Sequence, residues 1–490
     1  MPAAAPEEIT RESWLALIVV TAAAFLVVLD VSVVNVALPS IARDLKATSA
    51  QLPWVISGYN IALASLLLLA GRTADRRGRR ATFTAGLYLF LLGSLLCGIA
   101  NSPLTLIVAR VVQATGGAFL MPASLAMVLP QFPLSRRGVA IGIWGAAGAL
   151  GAAFGPSVGA VLISTWSWRG IFLVNVPLAA LPRRGSAKSS RRWRGIFLVN
   201  VPLGLIVAVL ARRLVAETRD QSAEGPLDLI GVPVGVAGVA LIMYGIVRSE
   251  QHGWTDQSVL GLILAGIAVV PLVVWRSTRH PAPLLDLSLF EGRPYSVSTA
   301  AFWVYSLAFT AGFFLNSFMF QELWGMSVLK TGFGLTPGPL IAAVTSARLG
   351  GMADRIGHRW IVSVGCWVTA AGYLWILLTF TSEQDYVFVY LPSAALIGVG
   401  VGATIAGYQS AAMAEVGVDQ FASANATLRT FQQVGYAIGI SVVSTLAAGF
   451  SYDGIYDGFV WVMACFVVSG VVMLIGYPSG SATARQASNP

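Results

Sequence analysis

The chain has 490 residues, 56% of them hydrophobic and 11% charged, with a formal net charge of +9. Soluble globular proteins carry about 25% charged residues, so a chain this long and this apolar reads as an integral membrane protein, not a soluble enzyme or a nucleic-acid binder. The three cysteines (Cys97, Cys366, Cys465) lie in apolar runs and the three histidines (His252, His280, His358) in polar breaks, and no lysine follows a glycine, which excludes a disulfide or metal framework and ATP-driven pumping by this chain alone.

A spanning helix needs about 20 mostly apolar residues. Fourteen such segments are predicted, over 14–37, 54–71, 81–100, 103–125, 138–163, 196–214, 228–247, 258–275, 297–320, 332–349, 360–380, 386–409, 427–449 and 457–477. The start, MPAAAPEEITRESW, is short and acidic and the first apolar run lacks a small-residue cleavage end, so that run reads as a membrane helix and not a signal peptide. Within it, LDVSVVNVALP (29–39) places Asp30 in a stretch, Leu15 to Leu38, that holds no other ionisable group. A charged side chain at a helix centre costs about 2.5–3.5 kcal/mol on insertion scales. At 1.5 Å per residue Asp30 lies ~24 Å from Trp14 and ~13 Å from Pro39, in the outer half of the predicted span. Burial disfavours an ionised carboxylate, and a nearby cation or hydrogen-bond donors favour it. A carboxylate that alternates between such surroundings can take up and release a proton.

Span two ends in GRTADRRGRR (71–80), a basic patch with one acid. Span four holds a second intramembrane charge, Arg110, with Gln113 three residues on and hence on the same helical face. An arginine keeps its proton, so Arg110 can tune a facing carboxylate but not carry the proton itself. In span five the glycines at 145, 148, 151, 155 and 159 fall within ~120° of one another on the helix. They form a smooth stripe that suits close packing between the two halves of the protein, and Pro156 favours a kink.

The outer loop after span five contains an 11-residue repeat. WRGIFLVNVPL occurs at 168–178 and again at 193–203. The second copy runs on into a segment long enough to span and the first does not, so copy two is expected to open span six. Residues 168–192 carry six basic residues and no acid, and read as a duplication without function. Leaving that loop aside, 18 basic residues fall on one side of the predicted topology and 4 on the other, which places both termini in the cytoplasm.

GGMADRIGHR (350–359), after span ten, matches GRTADRRGRR at six of ten positions, including Gly71/Gly350, Asp75/Asp354, Arg76/Arg355 and Gly78/Gly357. An offset of eight spans fits two six-helix halves (1–215 and 281–490) with two linking helices between them (216–280), and a substrate site between the halves. At this point the chain resembles the major facilitator superfamily, and specifically its fourteen-span drug:proton antiporter branch. LDVSVVNVALP resembles the first-helix signature of that branch and GRTADRRGRR the loop between helices two and three. RVVQATGGAFLMPAS (110–124) resembles the fourth-helix motif that begins with a buried arginine, and GALGAAFGPSVGA (148–160) the antiporter motif of helix five.

The resemblance implies an all-α membrane protein that moves small molecules by alternating access and exports hydrophobic or cationic drugs, antibiotics or related metabolites in exchange for protons. It implies no cofactor beyond the proton gradient, small-molecule and lipid partners, and a monomer in a bacterial plasma membrane. Asp30 and Arg110 are expected to couple protons. Gly71, Asp75, Arg76, Gly78, Arg79, Asp354 and Arg355 are expected to act as a conformational switch, and Gly148, Gly151, Gly155, Pro156 and Gly159 to provide antiporter-type packing. Candidates for the substrate cavity are Asn35, Trp54, Tyr59, Asn60, Gln113, Trp144, Asn316, Gln321, Glu322, Gln409, Gln432 and Gln433. Uptake by symport, or a receptor that kept the fold without transport, are the alternatives; no nucleophile–base set supports an enzyme.

Overall fold

The structure is a computed structural model that describes residues 9–47, 51, 54–133, 136–165, 210, 217, 228, 230–280, 285–380, 383–417, 420–446 and 452–479. The predicted sixth span, apart from Leu210, and the duplicated segment 168–192 lie outside the described residues. All regular structure among the described residues is helical, as a bilayer requires of a segment that must satisfy its own backbone hydrogen bonds.

Thirteen long helices are described: α1 (Arg11–Leu45), α2 (Trp54–Arg77), α3 (Arg79–Ile99), α4 (Pro103–Val128), α5 (Arg137–Thr165), α6 (Gly231–His252), α7 (Gln257–Ser277), α8 (Arg293–Phe318), α9 (Pro337–Ile356), α10 (His358–Thr379), α11 (Leu391–Met413), α12 (Phe421–Leu446) and α13 (Tyr452–Gly476). Ten described helices are long and apolar enough to cross a membrane. α12 is not among them because its first half carries Asn425, Arg429, Gln432 and Gln433. α1 has 35 residues and runs well past the predicted end at residue 37. Asp30 therefore sits just past the middle of the longer helix.

Turn chemistry sets several boundaries. Ser102 accepts from Thr105 N while the Thr105 hydroxyl reaches back to Ser102 N, a reciprocal cap for α4. Asp256 caps α7 by accepting from Ser258 N and Val259 N. The matched glycines of the two basic loops share one backbone conformation, with φ 111° at Gly78 and 106° at Gly357. Only glycine enters that region without strain, which explains why both copies of the loop retain it.

α1 to α5 pack mainly on one another, as do α8 to α13, and the contacts that join the two groups have a common form. The second helix of each group lies on the penultimate described or fifth helix of the other, α2 on α12 and α9 on α5. The matched glycines sit at these crossings. A Cβ on Gly71 would lie 2.7 Å from the Ala422 carbonyl oxygen, and one on Gly350 would lie 2.6 Å from that of Gly138. α6 packs on α2 and α12, and α7 pairs with α6 and turns Leu260, Leu264, Ile267, Val270 and Val274 outward. This row of exposed apolar side chains suits contact with lipid tails. Asp228 ties the ends of the pair together by accepting from Gly231 N at 2.7 Å and Arg276 Nε at 2.6 Å. Burial works against the Asp228 charge, but these donors hold its carboxyl below the ordinary range.

The α5 glycine stripe corrects one expectation. Gly151 and Gly155 face α1, where an added Cβ on Gly151 would lie 2.9 Å from the Phe25 carbonyl oxygen and one on Gly155 would strike Ser32. Gly148 has Val28 of α1 as its neighbour, and of the stripe's described contacts only those of Gly145, with Ser346 and Ile405, reach the other group. The stripe thus seats α5 on α1 more than it joins the halves. The side chain of Pro156 and the surroundings of Gly159 are outside the description.

The α3–α4 crossing is as close. A Cβ on Gly86 would lie 2.8 Å from Leu120 N and 2.9 Å from the Gly116 carbonyl oxygen, whereas Gly261 on α7 has nothing within 4 Å. Overpacking such a contact costs about 1–3 kcal/mol. Gly86→Val is expected to lower the thermal midpoint of the purified protein in detergent, and Gly261→Ala to leave it equal or slightly raised, as read by light scattering during a temperature ramp.

Candidate functional site

Asp30 on α1 and Arg110 on α4 meet. The Arg110 Nη1 donates to Asp30 Oδ2 at 2.5 Å, and both side chains are 1% exposed. Gln113 Nε2 donates to Asp30 Oδ1 at 2.8 Å, while Gln113 Oε1 accepts from Arg110 Nη1 at 2.8 Å. The i, i+3 spacing of Arg110 and Gln113 lets one face of α4 grip both carboxylate oxygens. Around this core, Arg110 Nε donates to the Val55 carbonyl at 3.4 Å, the guanidinium lies 4.0 Å from the centre of the Tyr59 ring, and the Cys97 thiol faces Gln113 Oε1 at 3.7 Å. Four helices, α1 to α4, therefore contribute to one buried cluster. Its Asp and Arg charges cancel, and the hydrogen bonds satisfy the carboxylate from both sides, the condition under which a buried pair is tolerated.

Tyr59 and Gln113, expected in a substrate cavity, belong to this cluster. Tyr59 is fully buried and its hydroxyl has no hydrogen-bond partner among the described residues. It serves Arg110 with its ring face, a cation–π contact.

The remaining cavity candidates separate. Trp54 packs its ring on Tyr244 of α6 at 5.3 Å, facing the linking pair. Asn316 is buried on α8, Gln321 donates to the Ser317 hydroxyl at 3.0 Å, and Glu322 is exposed in a π-helical turn that extends α8. The Asn35 side chain lies outside the description. Trp144, Gln409 and Gln432 do come together, around a residue that sequence reasoning passes over. The Arg429 guanidinium on α12 lies 4.8 Å from the centre of the Trp144 ring of α5. It donates from Nη1 to Gln432 Oε1 at 2.6 Å and from Nη2 to Gln409 Oε1 at 3.3 Å. Trp144 is itself held by its Nε1 donating to the Ser124 hydroxyl at 3.1 Å. Arg429 escapes notice because it falls at the edge of its apolar run. Its R-x-x-Q spacing to Gln432, the same as Arg110 to Gln113, is the signal that could have found it.

At one face of the bundle Asp75 joins the two helix groups. It accepts from Arg79 Nε at 3.1 Å and Nη2 at 2.9 Å, and from the backbone N–H groups of Ala422 at 3.2 Å and Ser423 at 2.7 Å. The last two are first-turn donors of α12, which lack intrahelical partners and favour a negative charge. Arg72 approaches Asp286 at 3.8 Å nearby. Glu217, just after the predicted sixth span, accepts from Arg80 N and Ala81 N at 3.0 Å each and so caps α3 on the same face. Arg76 is half-buried at the end of α2. In the second loop His358 occupies the place of Arg79 and pairs with the Ser410 hydroxyl at 2.8 Å; the side chains of Asp354 and Arg355 lie outside the description.

The Major Facilitator Superfamily profile matches residues 20–181 and 185–440. The multidrug resistance protein Stp of Mycobacterium tuberculosis is 29% identical over 439 residues, 89% of this chain and 76% of that protein. The puromycin resistance protein pur8 of Streptomyces alboniger is 32% identical over 440 residues, 89% of this chain and 82% of that protein. In structure, the proton:xylose symporter XylE superimposes with a TM-score of 0.66 at 13% identity, over 97% of this chain and 98% of that one, which speaks to the fold alone. The chain is a multi-pass membrane transporter, not an enzyme, and belongs to the Major Facilitator Superfamily.

Proposed function

We propose that the protein is a proton-driven exporter of hydrophobic, drug-like molecules, a drug:proton antiporter with fourteen spans arranged as two six-helix halves and a linking pair. The observation that carries this reading is the Asp30–Arg110–Gln113 cluster, a carboxylate held in mid-helix by a permanent cation and an amide. The relatives support the export direction, since the names of Stp and pur8 are those of resistance proteins. Their bacterial hosts and the 18-to-4 bias of basic residues support a bacterial plasma membrane with both termini in the cytoplasm.

The chemistry follows from the partners. When Asp30 takes a proton, Arg110 loses its counter-charge but keeps the Gln113 oxygen, the Val55 carbonyl and the Tyr59 ring. The neutral carboxyl can then leave the arginine at modest cost, and α1 can move against α4. Return of Arg110 to the carboxylate favours release of the proton. Each elementary charge carried inward is worth about 2.3 kcal/mol per 100 mV, which drives the outward movement of cargo.

Two measurements test the reading. In proteoliposomes holding a pH-sensitive dye, cargo addition to the wild type is expected to move protons opposite to the cargo. Asp30→Asn is expected to insert normally and lose that coupling, and Arg110→Lys, which keeps the charge without the planar fork, to slow it at least tenfold. Proton flow in the same direction as cargo would assign symport, and undiminished exchange by Asp30→Asn would remove the carboxylate from the mechanism.

Asp75 supports a switch role through its bonds to Arg79 and to the start of α12. Asp75→Asn weakens both by removing the negative charge. It is expected to raise labelling of single cysteines placed on α2 and α12 at this face and lower it at the opposite face, with cargo preference unchanged. Equal labelling of both proteins at both faces would argue for a purely structural aspartate.

A further inference from the structure

The two R-x-x-Q modules differ in one respect. At Arg110 the protein supplies the anion, Asp30. At Arg429 no carboxylate forms an ion pair among the described residues, and the partners are amide oxygens and an aromatic face. A guanidinium offers five N–H groups, of which two donate to described residues, and Nε is buried without a partner among the described residues. A second donor is also left over. Asn425 lies one turn before Arg429 on α12 and is 1% exposed. Its Oδ1 accepts from Gln409 Nε2 at 3.0 Å, and its Nδ2 has no partner among the described residues. The amide oxygens nearby, Gln409 Oε1 and Gln432 Oε1, are neutral and already serve Arg429, and Gln432 Nε2 donates to the Tyr436 hydroxyl at 2.7 Å. What remains is a permanent cation and unpaired N–H donors between α5 of one helix group and α11 and α12 of the other, beside an indole face.

From this geometry we propose that Arg429, with Asn425, Gln409 and Trp144, forms a binding site for an anionic group, a carboxylate on an aromatic or apolar cargo. The carboxylate takes the place that Asp30 fills at Arg110: it accepts from the guanidinium fork, a planar match that lysine lacks, and the apolar body of the cargo lies along Trp144. The site rests on the exporter reading and narrows its cargo class, from hydrophobic or cationic compounds to those carrying an acid.

Rhodamine 110 and rhodamine 123 share a ring system and differ in a free carboxylate against its methyl ester. Binding of each dye to the purified full-length protein in nanodiscs, read by fluorescence polarisation with no proton gradient, tests the site. The wild type is expected to bind the acid about tenfold or more tightly than the ester. Arg429→Gln is expected to abolish that preference by weakening the acid alone, and Arg429→Lys to keep part of it, which shows that the fold survives change at this position. Equal binding of both dyes by the wild type, preference for the ester, binding of neither, or equal loss of both in Arg429→Gln would overturn the proposal. A preserved dye preference in a protein whose pH dye stays silent during transport would instead count against the antiport reading and leave the site standing.

Discussion

A bilayer cannot solvate a charge, and the meeting of Asp30 with Arg110 is the protein's answer to that constraint. Several features of the first five helices serve it. The pair needs α1 and α4 at hydrogen-bond distance inside the bundle, and Gln113 needs room to reach the second carboxylate oxygen. Gly93 on α3 provides it, because a Cβ there would lie 2.6 Å from Gln113 Cβ. Gly117 likewise leaves 3.2 Å between its would-be Cβ and the Tyr59 hydroxyl, so the ring can lie over the guanidinium. Breaking a buried pair by removing one partner costs about 3–5 kcal/mol. Proton transfer removes the charge without removing the partner, and Arg110's remaining contacts keep that step from being prohibitive. On the proposed antiport reading, the same geometry serves stability and proton exchange.

The two crossings between the helix groups are similar in backbone, and the described side chains hold them in different ways. Both place a matched glycine against a carbonyl of the facing helix, Gly71 on Ala422 and Gly350 on Gly138. At the first crossing a carboxylate, Asp75, holds the start of α12. At the second the bond is neutral, from the Ser346 hydroxyl to the Gly142 carbonyl at 3.0 Å. A glycine crossing permits sliding or rocking at little steric cost, and the charged latch of Asp75 makes the first crossing sensitive to a change of charge.

The sequence made some of this legible for physical reasons. Asp30 and Arg110 stand out because ionisable groups inside apolar runs are rare and costly. Gly78 and Gly357 stand out because they recur at the same place in the two matching loops, and the structure gives the reason, a φ that favours glycine. What depends on three-dimensional partners was not legible. A glycine stripe states that something comes close, but not that α1 is the neighbour of Gly151 and Gly155. Tyr59 and Gln113 are polar residues inside spans, and nothing in their spacing separates a ligand from a support for Asp30. Trp54 could not reveal that its neighbour lies on α6, nearly two hundred residues on. Arg429 was hidden by its position near the start of an apolar run, where an arginine ordinarily marks the membrane edge.

The two proposed sites constrain one another through charge. With Asp30 ionised its pair is neutral, and Arg429 leaves the three intramembrane groups at +1. A bound carboxylate brings them to zero, so the cargo-loaded, deprotonated form is the one a bilayer tolerates best during movement outward. Protonated and empty, the same three groups carry +2, and a membrane potential negative inside favours their return. One proton in and one anion out move two positive charges inward per cycle, about 4.6 kcal/mol per 100 mV. A neutral cargo would halve that driving force, and a cationic cargo would cancel it. If both proposals hold, Arg429, which has no carboxylate partner among the described residues, makes an acidic cargo the one for which a single titrating carboxylate gains most from the membrane potential.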